Sequence, residues 1–209
     1  MESIERGAFF NCESLENINI PDYVESINDY TFAGCKSLTS INIPSLVKSI
    51  GDEAFAYCSY LKSINIPDSV ESIGVGTFVW CESLESINIP DSVKNIGNRV
   101  FSWCISLKSI NIPDSVESIG NEAFFNCKSL ININIPDLVE SIGEWTFFNC
   151  ASLTSINIPD SVKSVGLATF DSCVSLKEVI FEGKTLDEVK LMDHYPWDIK
   201  DESIIKCEE

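Results

Sequence analysis

The chain has 209 residues, 44% of them hydrophobic, with 32 acidic against 14 basic side chains and a net charge of -18, which is ample for a buried core and unlike a disordered segment. That charge opposes phosphate backbones and anionic lipid, so nucleic acid and membrane surfaces are excluded as partners. No run of about 18 apolar residues occurs, so no membrane insertion is expected, and the opening stretch MESIERGAFF lacks the basic-then-apolar order of a signal peptide.

A repeat begins at once. Residues 4–12 already stand in phase with everything that follows, and SINIPDSVESIG at residues 63–74 recurs at 109–120. Seven of the eight prolines, from Pro21 to Pro159, are 23 residues apart, and eight of the nine cysteines, from Cys12 to Cys173, keep the same step. Phe9 to Phe170 and Leu15 to Leu176 form two further columns at that spacing. A strict period of this length predicts a solenoid whose units bury their apolar sides only against neighbours.

One unit, taken from Leu61, shows the expected local structure. Ile64-Asn65-Ile66 alternates apolar and polar, which predicts a short strand with the isoleucines inward. Pro67 ends it, and Asp68 and Ser69 supply turn acceptors. Val70 and Ile73 return to the interior, and Gly74 is expected at a positive φ. That glycine recurs at 51, 97, 120, 143 and 166, with Asn28 once in its place. Phe78 and Cys81, three apart, predict one helical or 3-10 turn facing inward. Strands stacked in parallel about 4.8 Å apart would give eight units an arc on the order of 40 Å long.

The pattern Leu-x-x-Ile-x-Ile-Pro-x-x-Val-x-x-Ile-Gly-x-x-x-Phe-x-x-Cys resembles the 23-residue leucine-rich repeat of BspA-like bacterial surface proteins, from residue 4 to about 181. The fold expected is a β-rich solenoid: a leucine-rich-repeat arc of about eight units over residues 1–181, with a C-terminal α/β cap over 182–209. The resemblance implies a noncatalytic module at a cell surface or secreted, docking a protein or glycan. A structural spacer or assembly segment of a larger surface or phage-particle protein is the alternative.

The two ends differ. No dedicated cap precedes residues 4–12, so the first repeat is expected to expose apolar surface that invites self-association. Beyond Lys177 the period breaks. Residues 178–182 read as a last strand, Gly183 as a turn, and Thr185-Leu186-Asp187-Glu188 as a capping box opening a helix. Leu186, Val189 and Leu191 are expected to cover the core, Tyr195-Pro196-Trp197 to end the helix, and residues 203–207 to add a strand.

Candidate chemistry is sparse. Cysteines in one column about 4.8 Å apart are spaced too widely for disulfides and converge on no metal, so they read as inert core thiols, with Cys207 the one expected to be exposed. His194 is the single histidine, and no phosphate loop is present, so neither an enzyme, a metal site nor a cofactor is expected. Asp22, Asp68, Asp91, Asp114, Asp137 and Asp160 each follow a column proline. They read as caps of their own turns in preference to calcium ligands. Asn65, Asn88 and Asn111, in the column running from Asn19 to Asn157, are expected on the concave face, either bonded to one another as an amide ladder or offering a flat polar docking surface. Alternating signs at Glu25, Lys48, Glu71 and Lys94 read as structural.

The column just before each cysteine varies: Asn11, Gly34, Tyr57, Trp80, Trp103, Asn126, Asn149 and Ser172. Acceptance of Asn and Gly there implies partial exposure. Tyr57, Trp80 and Trp103 in successive units, with Tyr60 and Trp145, therefore form a candidate ligand-binding strip; incidental local packing is the other reading.

Overall fold

The computed structural model describes residues 3–208 as a parallel solenoid in which every 23-residue turn has three walls. On the first wall, Ser40–Asn42, Ser63–Asn65, Ser86–Asn88 and Ser109–Asn111 form a parallel sheet with Asn42 opposite Asn65 and Asn88 opposite Asn111. The wall continues through an Asn134–Asn157 bridge to Ser155–Ile158, Glu178–Glu182 and Ile205–Glu208. Each Ser-Ile-Asn triplet buries only its isoleucine, as the period of two requires.

The second wall adds a strand that the pattern of one turn does not announce. Two-residue strands, among them Ser49–Ile50, Ser72–Ile73 and Ser118–Ile119, pair in parallel with their equivalents in adjacent turns. Two residues are too few to show an alternation, so sequence alone places Ile73 inside without showing that its backbone is in a ladder.

The third wall carries residues 53–58 and their equivalents. The N–H groups of Glu53, Phe55 and Tyr57 donate to the carbonyls of Val75, Thr77 and Val79 at 2.9, 2.9 and 2.8 Å. Backbone groups on all three walls thus find partners in the neighbouring turn, with one break on the second wall, where Ser72–Ile73 and Asn95–Ile96 belong to separate sheets. Within this wall Ala54, Ala56 and Cys58 bond three residues back, as in a 3-10 turn, but left-handed residues at 53 and 57 stop it from propagating as a helix.

Equivalent apolar side chains lie over one another. The phenylalanine column is one continuous stack, with Phe9 on Phe32 at 5.2 Å, Phe55 on Phe78 at 5.7 Å and Phe147 on Phe170 at 6.0 Å. Each fully buried ring stabilises its turn by roughly 1.5–3 kcal/mol.

The recurrent glycine behaves differently from the sequence expectation. Positive φ occurs at Gly7, Gly34, Gly76 and Gly183, and not at Gly51, Gly74, Gly97, Gly120, Gly143 or Gly166. The reason for glycine there is close approach: a Cβ on Gly120 would stand 2.7 Å from the Asn98 backbone nitrogen in the turn before. The next residue stitches the turns together. Asp29 Oδ1 accepts from Asp52 N–H at 3.0 Å, Asp52 Oδ1 from Val75 N–H at 2.7 Å, and Asn121 Oδ1 from Glu144 N–H at 2.9 Å.

At the C-terminal end the capping box forms. Thr185 accepts from Glu188 N–H, Glu188 accepts from Thr185 N–H, and the helix Leu186–Lys190 follows. The core is closed by Val189, Trp197, Ile199 and Ile205. Trp197 stacks on Phe181 at 5.3 Å and donates its indole N–H to Asp193 O at 2.9 Å. Leu186 and Leu191 do not cover the core as expected; they are 42% and 86% exposed. The helix has only five residues, so one side chain, Val189, faces inward and no apolar stripe develops.

Candidate ligand-binding face

The third wall bends sharply because two positions per turn are left-handed. One column runs through Tyr30, Glu53, Arg99, Glu122 and Trp145, and the other is the variable column before cysteine, with φ of 56° at Asn11, 59° at Tyr57, 62° at Trp80 and 63° at Trp103. The expected partial exposure holds at most positions of this column, Asn11 being exposed and Asn149 half-buried, but Asn126 is 4% exposed and Gly34 is buried, so exposure alone does not account for Asn and Gly there. They recur because Gly and Asn tolerate this backbone, whereas other residues pay roughly 1–2 kcal/mol for it. Tyr57, Trp80 and Trp103 have no local reason to be left-handed, so their contacts must offset that cost.

Those contacts are ring on ring. Tyr57 and Trp80 stack with centroids 6.2 Å apart and planes within 12°, and Trp80 and Trp103 at 4.1 Å and 8°. Trp80 also rests on a small apolar cluster of Ala33, Ala56 and Val79. The run does not stop where the tryptophans do. Trp103 meets Phe125 at 6.2 Å, and Phe125 stacks on Phe148 at 4.8 Å. Phe125 and Phe148 precede Asn126 and Asn149, so inspection of one column misses them. The signal was available one place earlier: Ala56, Val79 and Ser102 are followed by Tyr57, Trp80 and Trp103, whereas Phe125 and Phe148 are followed by Asn126 and Asn149. From Tyr57 to Phe148 each turn contributes one ring to the ribbon.

The other two aromatic candidates stand apart. Tyr60 is 61% exposed, and Trp145 lies in the first left-handed column, 40% exposed; neither is within stacking reach of another ring among the described residues. Cations approach the same wall: Lys128 Nζ lies 5.9 Å from the Trp103 ring centre, and the Arg6 guanidinium 5.1 Å from that of Tyr30.

Asn65, Asn88 and Asn111 are exposed and in register on the first wall, but the expected amide ladder does not form among the described residues. The amide–amide bond lies instead on the third wall, from Asn149 Nδ2 to Asn126 Oδ1 at 2.6 Å. The aspartates after proline do not cap their turns either. Val70 N–H closes its turn on Pro67 O at 3.0 Å, Ser69 Oγ donates to Val47 O at 2.7 Å, and Asp68 is left exposed.

The cysteine column consists of free thiols. Cys81 Sγ donates to Phe55 O at 3.2 Å and Cys127 Sγ to Phe101 O at 3.1 Å, each reaching one turn back. Desolvation, with repulsion from neighbouring thiols, pushes both well above the ordinary thiol range. The exposed thiol is Cys12, and not Cys207 as expected, because Cys207 is half-buried on a strand paired with Glu178–Glu182. Among the described residues no group of three or more His, Cys, Asp or Glu side chains could hold a metal ion, and no helix is long and apolar enough to cross a membrane.

Comparison with known proteins places this architecture. A family model described as BspA type leucine rich repeat region (6 copies) matches residues 1–108 and 94–191. The crystal structure of a leucine-rich repeat protein from Bacteroides ovatus is 33% identical, with a TM-score of 0.78 over 99% of this chain. The match spans 58% of that protein's chain. The leucine-rich repeat protein of T. pallidum is 32% identical over 72% of this chain and 71% of its own, with a TM-score of 0.68. No curated protein matches the chain.

Proposed function

The chain belongs to the BspA-type leucine-rich repeat family, and from that premise we propose that it is a noncatalytic binding module of a surface or secreted protein, docking a protein or glycan through its third wall. One observation carries this reading: Tyr57, Trp80 and Trp103 are held in a backbone conformation that suits Asn or Gly, yet they sit in consecutive turns with their rings stacked and Tyr57 48% exposed. Strained, partly exposed aromatics concentrate where ligands are held. The polar first wall of Asn65, Asn88 and Asn111 has no comparable strain, which makes it the weaker candidate face.

The test uses the column's own alternative residue. Tyr57→Asn/Trp80→Asn/Trp103→Asn places Asn where Asn11, Asn126 and Asn149 already adopt the same φ, so the fold is expected to persist. Purified wild-type and triple-variant chains are applied to arrays of glycans and extracellular proteins. A ligand held by the wild type and released by the variant supports the reading; equal binding by both removes it.

A second reading, end-on self-association, has its own observation. Ile4, Phe9, Ile18, Ile20 and Val24 line an apolar cleft of about 270 Å³ at the first described turn. Light scattering that finds a monomer at all concentrations would eliminate it.

A further inference from the structure

We propose that the junction between the turn of Val75 and the turn of Asn98 is a hinge, at which the second wall opens while the third wall serves as the pivot. Two kinds of side-chain tie close the other junctions. One is the stitch already described, in which Asp29, Asp52, Asn98 and Asn121 each accept an N–H from the following turn. The other is a threonine hydroxyl that reaches one turn back: Thr31 donates to Glu5 O, Thr77 to Gly51 O, Thr146 to Gly120 O and Thr169 to Gly143 O. Among the described residues every junction between repeats has one tie or both, with a single exception. There the stitch column holds Val75, which has no acceptor, and the threonine column holds Val100, which has no hydroxyl.

The backbone loses its bonds at the same place. Gly74 N–H donates to Ile50 O and Gly120 N–H to Ile96 O, both at 2.8 Å, and Glu71 N–H to Lys48 O and Glu117 N–H to Lys94 O, also at 2.8 Å. The equivalent N–H groups of Gly97 and Lys94 make no such bond, and a Cβ on Gly97 would still be 3.7 Å from Ile73 O. On the first wall just before this break, pairing narrows to Asn65 with Asn88, against three pairs between Ser86–Asn88 and Ser109–Asn111. The third wall does the opposite. Gly76, Phe78 and Trp80 donate across the junction to the carbonyls of Asn98, Val100 and Ser102 at 2.9, 3.0 and 2.9 Å, and the 4.1 Å between Trp80 and Trp103 is the shortest ring separation among the described residues. A junction clamped on one wall and unbonded on another bends about the clamp, because backbone without hydrogen bonds and open to water is the least costly to move. Val75, 42% exposed, leaves that edge open to water. The part of the ribbon bearing Tyr57 and Trp80 can thereby change its angle to the part bearing Trp103 and Phe125.

Hydrogen exchange of the full chain reads the opening. The amides of Lys94, Gly97 and Asn98 are expected to exchange about tenfold faster or more than those of Glu117, Gly120 and Asn121. Val75→Asn restores the stitch with the residue found at 98 and 121 and should slow the three amides by roughly three- to tenfold, the worth of one hydrogen bond. If that variant does not fold, Val100→Thr restores the other tie with a side chain of similar volume and should slow them likewise. Movement is separated from a fixed gap by electron-spin resonance in a chain carrying Cys12→Ser and Cys207→Ser. Nitroxides at Lys48→Cys and Glu117→Cys span three turns across the junction, and nitroxides at Lys94→Cys and Lys163→Cys span three turns beyond it, each pair about 14 Å apart at the backbone. The first pair is expected to give the broader distance distribution, narrowed by Val75→Asn. Equal exchange at the two sets of amides, exchange that neither variant slows, or distributions of equal width would each overturn the hinge.

Discussion

A single residue type can recur for two unrelated reasons, and here both are glycine. Gly34 and Gly76 have φ of 77° and 59°, and they share columns with Asn, Tyr, Trp and Arg that adopt the same backbone at some cost. Gly120 has no such φ, but a Cβ would sit 2.5 Å from Asn98 Oδ1 and 2.7 Å from the Asn98 nitrogen. The sequence makes the second column visible as glycine and assigns it the wrong cause, because a clash with a neighbouring turn has no local signature. Gly97 is the exception that allows a test. It follows the break in the second wall between Ser72–Ile73 and Asn95–Ile96, and a Cβ there would meet nothing nearer than Val100 at 3.6 Å. Gly120→Ala is therefore expected to cost on the order of 1–3 kcal/mol, as overpacking does. Gly97→Ala should be neutral or gain up to about 1 kcal/mol from a less flexible unfolded chain. Urea midpoints of the two variants read the difference; equal losses would return the glycine to a backbone-conformation role.

Elements built on the 23-residue step were legible, and those that depart from it were less so. Phe55 lies on Phe78 and Asn65 beside Asn88 because packing fixes both columns, and the capping box at Thr185 is local enough to be read from four residues. The second strand was hidden by its length, and the aromatic ribbon by its step from Trp103 to Phe125 across columns. In the cap, hydrophobicity alone pointed to Leu191, yet it is Trp197 that closes the core, fully buried on Phe181 with its indole N–H satisfied. An indole whose polar atom has a partner can be buried wholly, and the short helix turns Leu191 outward. Trp197→Ala should lose about 3–5 kcal/mol and Leu191→Ala close to nothing. Thermal melts of the two variants that fell by similar amounts would show that the helix, and not the loop after it, covers the last turn.

Across the whole molecule, stacking multiplies every surface charge along a column. Asp68, Asp91, Asp114, Asp137 and Asp160 occupy one exposed position in five successive turns, about 4.8 Å apart at the backbone. At that spacing two carboxylates in bulk water repel by about 0.9 kcal/mol. Ion pairs use the same geometry to the opposite effect, with Lys36–Glu13 and Lys108–Glu85 at 2.8 Å and Lys163–Glu140 at 3.0 Å, each joining adjacent turns. Exposed pairs of this kind contribute only about 0.2–1 kcal/mol each, and 32 acids against 14 bases leave most carboxylates without one. Since attraction and repulsion are alike in size per pair, their numbers decide, and the balance is repulsive. Salt shortens the reach of surface charge from about 30 Å at 0.01 M to about 3 Å at 1 M, weakening both terms but removing more repulsion than attraction. The melting temperature is therefore expected to rise by several degrees as sodium chloride is raised across that range. A fall would mean that the paired columns outweigh the aspartate column, and that the acidic surface is held together by its few lysines and not strained by its many carboxylates.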